Sequence, residues 1–348
     1  MQLCNILDIQ YPIFLAPMAG VSTPELAAIV SNEGGLGSLG LGASQTEQAR
    51  AAILKTKQLT DRPFQVNFFC HQPEVYDADQ AQAWLNYLSP YFSDYQQDAP
   101  KQLNKIYQSF IENDDLLEVV LDTHPKAVSF HFGLPTASQM QRLKQADIVT
   151  IASVTQLSEA LLAEQAGIDI LIAQGIEAGG HRGLFNANCD SGLSTIDLVL
   201  LLQHYVQLPI IAAGGIMTGQ DISLYLELGA QGAQLGTAFV QCAESAANDS
   251  YREALFNESI TQITDSISGR PARGLFNYWQ ELIDQPNRPE HAGYPYTYDL
   301  AKQLHAIASK QDNDDGFAAY WAGANVAEIR RLDAGPLMQT LIEEIQSK

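Results

Sequence analysis

Short apolar runs separated by amphipathic, helix-like stretches recur eight times along this chain, and that rhythm limits the fold more than any other feature. The runs lie at 12–16, 36–39, 64–69, 127–130, 148–152, 168–173, 209–213 and 233–235. They are almost continuously apolar rather than alternating, as expected for strands covered on both faces. The stretches between most of them carry helical spacing, and helical crossovers make neighbouring strands parallel. Local signals agree. Thr23 precedes Pro24 at a helix start and Gly34-Gly35 stops that helix. Ser44 followed by Glu47 reads as a capping box for 44–59. The expectation is a closed (β/α)8 barrel, a TIM barrel. An open doubly wound sheet shares the same alternation, but the length of the repeat-bearing part suits the barrel.

Two stretches depart from the rhythm. Residues 71–100 are polar and aromatic with no assignable motif, and helical periodicity resumes over 101–121. After Phe239 the strand repeat ends, and 244–331 reads as an inserted, mainly helical substrate-binding subdomain. The barrel then comprises 1–243, closed by a last helix within 332–348.

Composition excludes several classes. Of 348 residues 46% are hydrophobic, enough for a large core and a satellite. The net charge of −21 opposes nucleic-acid and anionic-membrane binding, and obliges any anionic substrate to find a local cation. Cys4, Cys70, Cys189 and Cys242 are scattered without metal-ligand spacing, so no metal is expected and reduced thiols in a cytoplasmic protein are. The first residues lack a basic region followed by an apolar run, and no apolar stretch is long enough to span a bilayer.

A barrel of this kind carries its site at the carboxyl ends of the strands. Those positions hold glycine, small polar groups and histidine, and almost no carboxylate, Glu177 being the exception. Hydrolytic carboxylate pairs and magnesium sites are therefore disfavoured. Gly214 and Gly215 after the seventh strand, with Leu235, Gly236 and Thr237 at the eighth, fit the usual phosphate position, although glycine pairs also make plain turns. The most specific feature is the sixth loop, Ala173-Gln-Gly-Ile-Glu-Ala-Gly-Gly-His-Arg-Gly183. Gln174 is expected to point its amide at the barrel mouth. Gly179 and Gly180 let backbone approach a flat ligand while His181 projects over it, placed for proton abstraction near neutral pH. The competing reading is a loop histidine bonded to a neighbour. His131, ending the fourth strand, is either a pocket or a structural histidine. Tyr294, Tyr298 and Lys302, four residues apart, either form a lid that binds a small anion or pack as an ordinary aromatic loop.

With these motifs the chain resembles the nitronate monooxygenase family, in particular its first class, over almost its whole length. The carriers are Pro12-Ile-Phe-Leu-Ala-Pro-Met-Ala-Gly20, Gln65-Val-Asn-Phe68, Val128-Ser-Phe-His-Phe-Gly133, the sixth loop, Ala212-Ala-Gly-Gly-Ile216, Gln234-Leu-Gly-Thr-Ala-Phe239 and the Tyr294, Tyr298, Lys302 spacing. The resemblance implies a non-covalent FMN held by Met18, Asn67, Gln174, Gly179, Gly180, Gly214, Gly215 and Gln234 to Thr237. It implies His181 as catalytic base, a substrate pocket of His131, Tyr294, Tyr298 and Lys302, and oxidation of alkyl nitronates by O2 to a carbonyl compound and nitrite. Propionate 3-nitronate is the expected type of substrate, with neutral nitroalkanes as a second type, and the expected state is a monomer or homodimer. The alternatives are an NAD(P)H-dependent FMN reductase of quinones or enoyl thioesters and, more distantly, a flavin-free phosphate-binding barrel.

Overall fold

Eight parallel strands and the helices between them form a TIM barrel in the computed structural model, which describes every residue except Met1, Asp312, Asp315 and Lys348. The strands are Ile13–Leu15, Gly37–Gly40, Phe64–Phe69, Ala127–His131, Val149–Val154, Ile170–Gln174, Ile210–Ala213 and Gly232–Leu235. Each pairs in parallel with the next in sequence, and the first pairs with the eighth through Ile13 opposite Ala233. The first and second strands meet only where Phe14 faces Leu36; backbone bonds from Leu15 and Leu36 complete the ring there.

Residues along each strand alternate between two cores. Leu15, Val66, Phe68, Val128, Phe130, Leu171 and Ala173 face the surrounding helices. Phe14, Leu36, Ile151, Ile170, Ile172 and Ile211 fill the lower barrel, whose floor is plugged by Leu3 and Leu7 of helix Gln2–Leu7. The upper interior turns polar, with Asn67, Ser129, Ser153, Gln174 and Gln234, and there the apolar filling gives way to a cavity.

Four local expectations need correction. Helix Thr46–Leu59 is capped one residue later than the Ser44–Glu47 spacing suggested: Gln48 Oε1 accepts from the Gln45 amide at 3.1 Å. The span 71–100 contains a 17-residue helix, Ala78–Asp94, capped by Asp77. By contrast, 101–109 is irregular, and helical structure begins only with the 3-10 turn Phe110–Glu112 and helix Asp114–Thr123. Helix Ala78–Asp94 buries Ala81, Trp84, Leu85, Leu88 and Phe92 against Leu300, Leu304 and Ala308 of helix Tyr296–Ser309, so this early excursion packs onto the late insertion. Within that insertion lie two strands not foreseen, Thr261–Thr264 and Ala272–Leu275, paired antiparallel. No helix among the described residues is long and apolar enough to cross a membrane.

Candidate active site

One cavity of about 270 Å³ opens at the carboxyl ends of the barrel strands. It gathers nearly every residue singled out from the sequence: Met18, Asn67, His131, Gln174, Gly179, Gly180, His181, Gly214, Gly215, Gln234, Gly236, Thr237, Tyr294, Tyr298 and Lys302 all line it. Leu235 does not; it points outward into the core between sheet and helices, as the period of two requires after Gln234. No Asp or Glu among the described residues lines the cavity. The Glu177 carboxylate instead accepts from the amide and hydroxyl of Thr195, at 2.9 and 2.8 Å, at the start of the next helix.

His181 is held from both sides. Gly180–His181 forms a two-residue strand paired antiparallel with Ala272 and Arg273 of the inserted hairpin, and the Arg182 amide donates to Pro271 O. On the barrel side, Gln174 Nε2 donates to His181 O at 3.0 Å, and His131 Nε2 lies 3.1 Å from the same carbonyl. Gln174 Oε1 accepts from the Gly183 amide at 2.7 Å, so this side chain borders the cavity while its polar atoms brace the loop. Beneath it, the fully buried Arg182 guanidinium pairs with Asp190 at 2.9 Å and 3.1 Å and donates to the carbonyls of Gln174 and Gly175. A buried guanidinium with all three nitrogens donating makes a rigid loop.

The His181 imidazole contacts Ser268 Oγ through Nε2 at 2.9 Å. Around it stand Trp321, Phe132, Tyr298 and Tyr294, with ring centroids 5.2, 5.6, 5.9 and 6.1 Å away. Burial, and then the nearby His131, Arg270 and Lys302, push its pKa down to about 3, so the ring is neutral at physiological pH. Burial likewise lowers His131 to about 4. The non-glycine Phe132 is held at φ +69° with the Arg270 guanidinium 4.4 Å above its ring, a strained backbone at the site's edge.

Lys302 lies at the exposed rim, its Nζ 4.9 Å from the Tyr298 ring centroid and 5.2 Å from that of Tyr107. Burial raises the pKa of both phenols to about 12 and holds that of Tyr294 well above its ordinary value, so all three remain O–H donors. Trp321 Nε1 donates to the Tyr298 oxygen at 3.3 Å, which leaves the Tyr298 proton for another acceptor.

The opposite end of the cavity suits a phosphate-bearing ligand. Gly214 and Gly215 run at φ +123° and +70°; a Cβ on Gly214 would stand 2.8 Å from Thr195 Oγ1. The Thr237 hydroxyl accepts from the Gly323 amide at 2.9 Å and keeps its proton to donate. Asn325 Nδ2 donates to Gly215 O at 2.6 Å and pins the last segment of the insertion over this loop. Gln234 Oε1 is buried without a partner among the described residues, an acceptor that a planar ligand with N–H groups would satisfy.

With this geometry in place, the comparison with known proteins is decisive. The nitronate monooxygenase family profile matches residues 1–347. The chain belongs to that family. It is 48% identical to the nitronate monooxygenase of Paraburkholderia phytofirmans, over 99% of this chain and 94% of the relative. It is 47% identical to that of Pseudomonas aeruginosa, over 98% of each. The solved nitroalkane oxidase of Streptomyces ansochromogenes superposes with a TM-score of 0.90 at 35% identity, covering 99% of this chain and 98% of the other. The protein is thus an oxidoreductase of the nitronate monooxygenase family. Its site includes residues that sequence reasoning passed over: Tyr107, Ser268, Arg270, Trp321 and Asn325. None sits at a barrel-strand end, and only the long-range packing brings them there.

Proposed function

We propose that this enzyme oxidises alkyl nitronates with O2, using non-covalently bound FMN, to a carbonyl compound and nitrite. The observation that carries the reading is a cavity with a neutral histidine, an ammonium ringed by phenol donors and no carboxylate, opening beside a glycine-lined phosphate cradle. Gly214, Gly215, Gly236 and Thr237 would hold the phosphate, and Met18, Asn67, Gln174, Gly179, Gly180 and Gln234 would border the ring system. When bound, FMN supplies the electron acceptor for the nitronate carbon.

The chain's own residues then have separate tasks. Lys302 and the Tyr298 hydroxyl attract and orient the anionic group in a protein that otherwise repels anions. His131 lines the substrate side, and Tyr294 and Trp321 limit water around His181. For a neutral nitroalkane, His181 takes the α-proton; the negative charge that forms stabilises the new imidazolium and offsets the burial that disfavours it. For a preformed nitronate, positioning alone is required.

Nitrite release from propionate 3-nitronate and ethylnitronate, measured beside NADH oxidation with quinones, tests the reading. Nitrite release with little NADH consumption is expected. Rapid anaerobic bleaching of the flavin by NADH, without nitronate turnover, would favour the reductase instead.

A further inference from the structure

We infer that Ser268 fixes the tautomer of His181, holding its proton on Nε2 so that the lone pair of Nδ1 is the one available for proton abstraction. The inference rests on the reading of His181 as base, and makes Ser268 a positioning residue. It follows from counting protons around one oxygen. Ser268 Oγ has three neighbours: Arg270 O at 3.0 Å, the Arg270 amide at 3.3 Å and His181 Nε2 at 2.9 Å. A carbonyl oxygen only accepts, so the single hydroxyl proton goes to Arg270 O. The Arg270 amide only donates, so it fills one lone pair of Oγ. What remains on Oγ is one lone pair, and the contact to Nε2 is satisfied only if Nε2 carries hydrogen. A neutral imidazole with hydrogen on Nε2 has a bare Nδ1.

The placement of the groups agrees. Ser268 is fully buried and is not part of the cavity wall, whereas the imidazole is, so Nε2 points into the protein. Among the described residues no hydrogen bond engages Nδ1, and the nearest rings on the cavity side are Trp321 and Tyr298. Ser268 itself cannot rotate freely. It lies in the turn between Thr261–Thr264 and Ala272–Leu275, and the second of these strands pairs with His181 itself. The same hairpin therefore sets the main chain of the base and the position of its proton.

The direct test is the long-range 1H–15N spectrum of the holoenzyme labelled at histidine, with the His181 signals assigned by their loss in His181→Asn. Near neutral pH it should show hydrogen on Nε2 and a pyridine-type Nδ1. A proton on Nδ1, or an even mixture, overturns the inference. In Ser268→Ala, Nε2 is left buried without an acceptor, so the proton should shift toward Nδ1. Turnover of neutral nitroethane should then fall about tenfold or more, with ethylnitronate spared and Ser268→Thr, which keeps the hydroxyl, largely restored. A Ser268→Ala spectrum with the wild-type tautomer also overturns it. Should His181→Asn keep its nitroethane turnover, the base reading falls, while the tautomer measurement still stands by itself.

Discussion

Replacing Lys302 by Met keeps the aliphatic stem and removes the charge, and the structure sets the size of the effect. Lys302 Nζ lies about 5 Å from the faces of Tyr298 and Tyr107, which bounds how closely an anion held among the phenols approaches it. At roughly 5 Å, a unit pair interacts by about 3 kcal/mol at an effective dielectric of 20 and by about 0.8 kcal/mol in bulk water. Because Lys302 is exposed at the rim, the lower half of that interval applies, about 1–2 kcal/mol, or roughly a 5- to 30-fold loss in kcat/KM. The loss should be largest for propionate 3-nitronate, which carries a second negative charge, smaller for ethylnitronate and negligible for neutral nitroethane. It should also shrink as salt is raised, since an exposed pair is screened. Steady-state nitrite release for the three substrates at two ionic strengths reads all of this. Equal losses on the charged and neutral substrates would refute the electrostatic role and leave Lys302 as a packing residue.

Other outcomes follow from the same geometry. His181→Asn should retain flavin and turn over ethylnitronate while losing nitroethane oxidation by about 100-fold or more; equal activity on both would remove the base assignment. Arg182→Met leaves the buried carbonyls of Gln174 and Gly175 without their donors and should lower unfolding stability by about 2 kcal/mol, visible as a shifted denaturant midpoint. His71 is buried, neither ring nitrogen has a partner among the described residues, and burial, then Arg270 and Lys105, hold its pKa at about 3. The unfolded chain therefore binds a proton there below about pH 6.5 that the folded chain refuses. Stability should fall as pH drops from about 6.5 toward 3, by about 1.4 kcal/mol per pH unit from this residue. His71→Phe should flatten that decline in denaturant titrations at pH 7 and pH 5; an unchanged slope would show that the ring is not desolvated.

The barrel was legible because its strands are apolar on both faces, and because Thr23, Pro24 and Gly34-Gly35 mark one unit clearly. Phe64–Phe69 and Thr195–Tyr205 fall where their patterns put them. Helix Ala78–Asp94 was not foreseen although its buried residues keep helical spacing, since Tyr87 and Tyr91 blur the boundary to an outer face of Asp79, Gln82, Asn86, Ser93 and Asp94, and Pro90 stands inside it. Cavity-lining positions at strand ends could be read from the loops, but Tyr107 reaches the cavity from irregular chain that the sequence pattern read as helical, and Trp321 from a segment with no periodic signal. Ser268 shows the limit most clearly: its relation to His181 exists only through an antiparallel pairing between residues far apart in sequence.

That pairing also constrains how the enzyme comes into being. The proposed phosphate cradle draws on the barrel loops and on the late Asn325 segment, and Gly180–His181 is the outer strand of a three-stranded sheet whose other members also lie later in the chain. A chain folded only as far as the eighth barrel strand lacks the hairpin that orients the proposed base. The aim of the proposed base is thereby tied to the inserted hairpin, so substitutions that reshape the hairpin to admit a new substrate reset the aim of the histidine as well.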